Sequence, residues 1–228
     1  MNEKRLYIIA GCNGAGKTTA SFNILPEILD CKEFVNADEI ARGLSPFQPE
    51  QVAISAGRMM LTRIQELLNN GDNFSFETTL STRSFVETIH LARSKGYYTT
   101  LIFFYLESVE LALDRVAIRV SEGGHNIETD VVERRYYLGI KNLFNLYAEI
   151  VDSLYIFDNS NLESELIAEK SSNSDFIIHE SDKFEFLKNR GHDPRWKKAF
   201  EWNSQEGDEI VVPNVNWKKT SFGSVCCH

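Results

Sequence analysis

The run LYIIAGCNGAGKTT (residues 6–19) restricts this chain to few architectures. An apolar stretch of strand composition passes without a spacer into three glycines, a lysine and two threonines. Glycine lets a backbone turn tightly and approach a neighbour closely, because no Cβ stands in the way. Gly11-x-x-x-x-Gly16-Lys17-Thr18 satisfies the full P-loop pattern, and a strand before it with a helix after it is the context that pattern requires. In that geometry successive backbone N–H groups converge on one point, and the positive end of the helix dipole is aimed there too. Gly11, Cys12, Asn13, Gly14, Ala15, Gly16, Lys17, Thr18 and Thr19 are therefore the candidate nucleotide-binding segment. Lys17 is placed to reach the β- and γ-phosphates, and the Thr18 hydroxyl to hold Mg²⁺.

The rest of the chain alternates in the same way. Strand patterns occur at EFVNA (33–37), NFSFETT (73–79), TTLIFFYL (99–106) and SLYIFD (153–158). Between them lie helical patterns at about 17–29, after Pro49 up to Asn69-Asn70-Gly71, at about 82–95, 108–121 and 130–150. TTLIFFYL shows no alternation, as suits a strand covered on both faces. A further helix and a possible strand, DFIIH (175–179), close the core. Repeated βαβ units predict an α/β fold, a parallel sheet with helices on both faces. Residues 1–180 read as one P-loop domain, with 181–228 as a polar C-terminal extension carrying Trp196 and Trp202, partly helical around 194–202.

Composition removes several classes. Of 228 residues, 43% are hydrophobic and 25% charged, which is ordinary for a globular protein with a real core. No apolar run approaches the roughly 18 residues needed to span a bilayer, and no signal peptide is legible, so no membrane partner is expected. The net charge of −9 weighs against nucleic acid as the main ligand, which calls for a broad basic surface. Cys12, Cys31, Cys226 and Cys227 form no CxxC pair, and free thiols in a reducing cytoplasm are the simple reading. Cys226-Cys227-His228 reads as a loose chain end rather than a metal site.

A nucleotide site does not name a function. No NKxD-type stretch marks a GTPase. No LSGGQ-type stretch marks a transporter ATPase, and LIFFYL ends in Glu107-Ser108 rather than Asp-Glu. In open parallel sheets ligands bind beyond the C-terminal ends of the strands. Those ends carry the P-loop, VNADEIARGLSP (35–46) with Asp38, and FETTLS (76–81) with Glu77 and Thr78. Asp38 reads either as the carboxylate that orients an acceptor hydroxyl or as a turn or cap residue for the helix after it. Glu77 is costly to bury in an apolar strand, which favours a role in holding an acceptor hydroxyl. Arg42 and Arg83 read as surface or structural residues able to help hold a substrate.

The block RVAIRVSEGGHNIETDVVERRYYLGIKNL (115–143) puts Arg115 and Arg119 on one helix face and Arg134-Arg135 in the first turns of the next helix. Gly123-Gly124 between them is a hinge, with His125 as a hinge hydrogen bonder. The block reads as a lid that brings guanidinium groups onto a transferring phosphate.

In this order GCNGAGKTT, VNADEIARGLSPF, FSFETTLSTRSF, the lid block with its GGH hinge, and FDNS resemble the zeta toxin family of P-loop kinases, in particular its compact bacterial branch. The resemblance covers about residues 4–160. It implies an adenylate-kinase-like fold and ATP·Mg²⁺ as phosphoryl donor. It also implies a phosphotransferase with an alcohol acceptor, since characterised zeta toxins phosphorylate a sugar hydroxyl of UDP-N-acetylglucosamine. On the matching positions Lys17 and Thr18 are the P-loop lysine and the Mg²⁺ threonine, and Asp38 is the catalytic base. Glu77 and Thr78 are substrate contacts, and Arg119 and Arg134 clamp the phosphate. Arg115 and Arg135 are the neighbouring alternatives, assigned to substrate. An antitoxin protein is a possible partner. Two other readings share the scaffold: a nucleic-acid end kinase, and a regulatory ATP-binding module that acts through a protein partner.

Overall fold

The computed structural model describes residues 3–195 apart from Ile28 and His125. The readings made for His125, for Trp196 and Trp202, for a helix continuing past 195, and for Cys226-Cys227-His228 lie outside the described residues. Among the described residues no helix is long and apolar enough to cross a membrane, and no group of three or more His, Cys, Asp and Glu could hold a metal ion.

The first strand, β1 (Lys4–Gly11), is buried from Leu6 onward, and helix α1 (Lys17–Glu27) starts at the lysine of the glycine loop. Strand β2 (Glu33–Val35) leads into α2 (Ala37–Leu44). A 3₁₀ turn (Pro49–Val52) opens α3 (Ala53–Asn70), which stops at Gly71 in the left-handed region, φ 80°. Then come β3 (Phe74–Thr78), α4 (Val86–Ser94), β4 (Tyr97–Tyr105) and α5 (Val109–Ser121). Helix α6 (Thr129–Asn142) runs on into one π-helical turn at Leu143–Tyr147. The chain closes with β5 (Ser153–Asp158), β6 (Glu165–Ser171), β7 (Ile177–Ile178) and α7 (Ser181–Arg190).

The sheet order is β2-β3-β1-β4-β5-β6-β7. The first five strands are parallel; β6 and β7 add antiparallel at one edge. Unbroken burial along Leu6–Gly11 and Thr99–Tyr105 requires cover on both faces, as β1 and β4 are the centre of a parallel sheet. The chain steps from β1 outward to β2 and then back across to β3, β4 and β5. Right-handed crossovers in opposite directions place their helices on opposite faces.

Two sequence expectations change. The further helix expected after β5 is the strand β6. Its Ile167 and Ala168 are buried and the run pairs with β5 from Ser153 to Asp158, so the free sheet edge overrides the helix-forming composition. The helix expected from about Thr82 begins only at Val86. The carbonyls of Leu80 and Thr82 are taken instead by Asn142 Nδ2 (2.8 Å) and by the Tyr147 hydroxyl (2.7 Å), so the segment 79–85 is held as a loop against α6 and its π turn.

Helix α7 packs on the core through Phe184 and Leu187, both buried. Its Lys183 bonds Asp158 (2.6 Å) at the end of β5 and Glu165 (2.5 Å) at the start of β6.

Candidate active site

Gly11, Gly14 and Gly16 all have positive φ: 144°, 79° and 80°. A Cβ on Gly11 would stand 2.3 Å from the Phe104 carbonyl, and one on Gly14 would stand 2.7 Å from that of Ala112. The loop therefore has the strained, closely packed backbone that only glycine accepts. Lys17 is buried, and its Nζ donates to the Cys12 carbonyl at 2.8 Å. Burial pushes the Cys12 thiol up to about 11, against the lowering pull of Lys17 and Arg115, so it stays protonated. Thr19 is exposed on α1, one residue past the loop.

Register carries the next strand to this loop. Ile9 and Ala10 of β1 pair with Glu77 and Thr78 of β3. Glu77 thereby meets the P-loop directly: Oε2 accepts from the Thr18 hydroxyl at 2.7 Å and Oε1 lies 3.5 Å from Lys17 Nζ. Asn36 Nδ2 donates to the same Oε2 at 2.9 Å. The Thr78 hydroxyl accepts the N–H of Leu80 at 3.0 Å, within a turn where Leu80 itself has φ 60°.

Asn36 takes the capping role that was one of the two readings of Asp38. The N-cap of α2 is Asn36, whose Oδ1 accepts from the N–H of Asp38 (2.8 Å) and of Glu39 (3.4 Å). The Asp38 side chain has no capping duty. It sits exposed in the first turn of α2 at the wall of a cavity of about 590 Å³.

This cavity joins the strand ends to α6. Its walls include Lys17, Asn36, Asp38, Glu77 and Thr78 on one side and Arg134, Arg135 and Lys141 of α6 on the other. Apolar cover comes from Met60 and Leu61 of α3, with Phe85 and Leu138. Helix α6 lies close over the loop after β3, since a Cβ on Gly139 would be 2.6 Å from the Thr79 carbonyl. Arg135 reaches the P-loop, donating to Asn13 Oδ1 at 3.2 Å.

Neither arginine of α5 is among the residues that line the cavity, and the two have different surroundings. Arg115 donates to the carbonyls of Asn159 (2.8 Å) and Ser160 (2.9 Å), away from the residues that line the cavity. Arg119, one turn on, is covered by the turn at Gly123-Gly124: a Cβ on Gly124 would be 2.8 Å from Arg119 Cγ. Its Nε and Nη2 are buried with no hydrogen-bond partner among the described residues. Buried donors on a cation without an acceptor are costly, and an anion is what would satisfy them.

Sequence reasoning had passed over Asn36, Lys141, the loop hydroxyls of Ser81 and Ser84, and Asn159. Asn36 was detectable as an N-cap residue just before a helix. Lys141 was not, because only the packing of α6 turns it to the cavity.

The zeta toxin family model matches residues 2–171. A protein of Haemophilus influenzae described only as uncharacterized is 33% identical over 138 residues, which is 60% of this chain and 94% of that one. A chain of the AvrRxo1-ORF1:AvrRxo1-ORF2 complex crystallised with sulphate ions superimposes with TM-score 0.66 at 17% identity, over 82% of this chain and 64% of that one. The same complex with ATP gives 0.64 at 17% identity, with the same coverage. This chain thus spans a little under two thirds of that relative. The PezAT toxin–antitoxin system of Streptococcus pneumoniae gives TM-score 0.58 at 19% identity, over 83% of this chain and 86% of that one. With three quarters of its length matched by the family model, the chain belongs to the zeta toxin family and carries that family's P-loop phosphotransferase fold.

Proposed function

We propose that this phosphotransferase moves the γ-phosphate of ATP to a hydroxyl of a small molecule held in the 590 Å³ cavity, with a sugar nucleotide such as UDP-N-acetylglucosamine as the leading acceptor. The observation that carries the reading is that an uncapped carboxylate, Asp38, and the P-loop lysine, Lys17, line one cavity. The residues fit the donor. The positive-φ glycines leave a cradle that a Cβ would fill, and the Thr18 hydroxyl beside the Glu77 carboxylate is the hard oxygen set that Mg²⁺ selects. When bound, Mg²⁺ neutralises charge on the phosphate oxygens.

The chain's own residues divide the remaining work. Backbone N–H groups of 11–19 bind the phosphates, and Lys17 leaves the Cys12 carbonyl for them. Asp38 orients the acceptor hydroxyl and takes its proton late, since a loose phosphoryl transition state asks little of a base. Arg134 and Arg135 of α6 approach from the opposite wall, with Arg119 as the third guanidinium, to stabilise charge on the moving group. Glu77, engaged by Thr18, Lys17 and Asn36, belongs on the metal side of the site rather than on the acceptor hydroxyl. Thr78 remains a candidate acceptor contact. Residues 1–180 are taken as the kinase domain and 181–228 as its extension. An antitoxin protein partner, and a cytoplasmic location in keeping with the buried free thiols of Cys12 and Cys31, complete the reading.

The test is incubation with γ-labelled ATP, Mg²⁺ and UDP-N-acetylglucosamine, beside a metabolite extract and an RNA oligonucleotide. Label on the sugar nucleotide, lost in Asp38→Asn while ATP still binds, is the expected result. Label confined to the extract or the RNA replaces the acceptor. Full transfer by Asp38→Asn removes Asp38 from the base role.

A further inference from the structure

The tetrapeptide FDNS (157–160) at the end of β5 has no part in the chemistry above, yet its Asn159 touches the phosphate loop. We infer that Asn159 is a positioning residue that sets the orientation of the Ala15–Gly16 peptide and so the loop's grip on nucleotide phosphates. The inference rests on the reading of the loop as an ATP site.

Asn159 Nδ2 donates to the Ala15 carbonyl at 2.8 Å. In a planar trans peptide the carbonyl and the following N–H point in opposite directions. Holding the Ala15 carbonyl toward Asn159 therefore turns the Gly16 N–H away from Asn159. The contact is tight, since a Cβ on Gly16 would stand 2.5 Å from Nδ2. Gly16 has φ 80°, and a glycine imposes little barrier to rotation of the preceding peptide. Without the amide donor, the Ala15 oxygen is free to turn inward, where it would face a phosphate oxygen.

The amide is fixed in its own orientation. Oδ1 accepts from the Ser164 hydroxyl, and a flipped amide would set its oxygen against the Ala15 carbonyl oxygen. The backbone of Asn159 is held as well: its N–H donates to Tyr105 O at 2.9 Å, and its carbonyl accepts from Arg115. Arg115 thus serves the site through Asn159, fastening α5 to the β5 turn. Asp158, next in the chain, bonds Ser160 and Lys183 of α7. The phosphate loop is braced from a helix that lies beyond residues 2–171, where the family match ends.

The test is calorimetric titration of ATP·Mg²⁺ into the full chain and its variants, with melting temperatures and steady-state ATP turnover alongside. Asn159→Ala is expected to weaken ATP binding about tenfold, the contribution of one hydrogen bond to a charged group, and to raise KM for ATP well beyond any fall in kcat. The Gly16 N–H contacts ground and transition states alike, so its loss is a loss of uniform binding. A role in folding alone would lower the melting temperature and the active fraction, hence kcat, and leave KM for ATP in place; that pattern overturns the inference. Ser164→Ala, at an exposed residue, is expected to weaken ATP about threefold with an unchanged melting temperature, which keeps the test open should Asn159→Ala fail to fold. Wild-type ATP affinity in both variants overturns the inference and leaves the kinase reading standing. Absence of ATP binding by the unaltered chain overturns the kinase reading and the inference together.

Discussion

The Glu77 carboxylate accepts the Thr18 hydroxyl at 2.7 Å, which couples the end of β3 to the first turn of α1 across 59 residues of sequence. A carboxylate and a hydroxyl in contact at a P-loop form a pair on which a hard cation can settle. Glu77→Gln keeps the size and the bond to Thr18 but removes the charge. The Mg²⁺ concentration for half-maximal turnover is expected to rise about tenfold or more, the usual consequence of altering a metal's supporting residues, while ATP affinity without metal is not weakened. An unchanged Mg²⁺ requirement would place Glu77 outside the metal site.

Arg119 Nε and Nη2 are buried without a hydrogen-bond partner among the described residues. If they await the transferring phosphate, Arg119→Ala should lower kcat about a hundredfold and change the ATP dissociation constant much less. The same substitution removes two buried donors that lack acceptors among the described residues, so the melting temperature should hold or rise. Loss of stability with unchanged kcat would make Arg119 structural.

Two glycines within reach of one another in sequence should respond in opposite ways. Gly16→Ala meets a positive φ and the Asn159 amide, and is expected to cost about 1–3 kcal/mol and to abolish ATP binding. Gly43→Ala in α2 meets no atom within 4 Å of its Cβ beyond its own helix backbone and chain neighbours, has no positive φ, and is expected to add about 0.4–1 kcal/mol. Chemical denaturation of both variants reads the difference.

Asp158 gives the fold an acid-sensitive fastening. Burial alone would raise its carboxyl, but hydrogen bonds from Lys183 and Ser160 outweigh that and hold it below the usual carboxylate range. A depressed folded value adds stability above the unfolded value, near pH 4, that is lost as pH falls through the folded one. Lys183→Met removes the main counterweight and leaves only Ser160 to oppose the upward push of burial on Asp158. The variant should be less stable at neutral pH and should unfold at a higher pH on acid titration. Identical acid titration curves would show that the pair is not coupled to folding.

Much of the core was legible as pattern. Leu6–Gly11 and Thr99–Tyr105 are apolar without alternation and became the central parallel strands. Gly71 marked a helix end by its own chemistry. The strand β6 was missed because its composition suits a helix, and only an unpaired sheet edge beside β5 makes a strand the better solution. The start of α4 was missed for a related reason: Tyr147 takes the Thr82 carbonyl that a helix would have used, and Asn142 holds the Leu80 carbonyl just before it.

The candidate site divides along the same line. Spacing alone determined the glycine loop, Lys17 and Thr18, because a phosphate cradle is local: its glycines, lysine and threonine lie within nine residues and need only a strand before and a helix after. Tertiary structure decided the partners. Parallel register set Glu77 on Thr18, a cap at Asn36 left Asp38 uncommitted, and the close approach of α6 at Gly139 turned Arg134, Arg135 and Lys141 to the cavity. Arg115 and Arg119 are equivalent in sequence, four residues apart on one helix face. They part company only because the β5 turn presents two carbonyls to the first while the Gly123-Gly124 turn covers the second. Such contacts depend on which distant segments meet, and residue order by itself does not encode that locally.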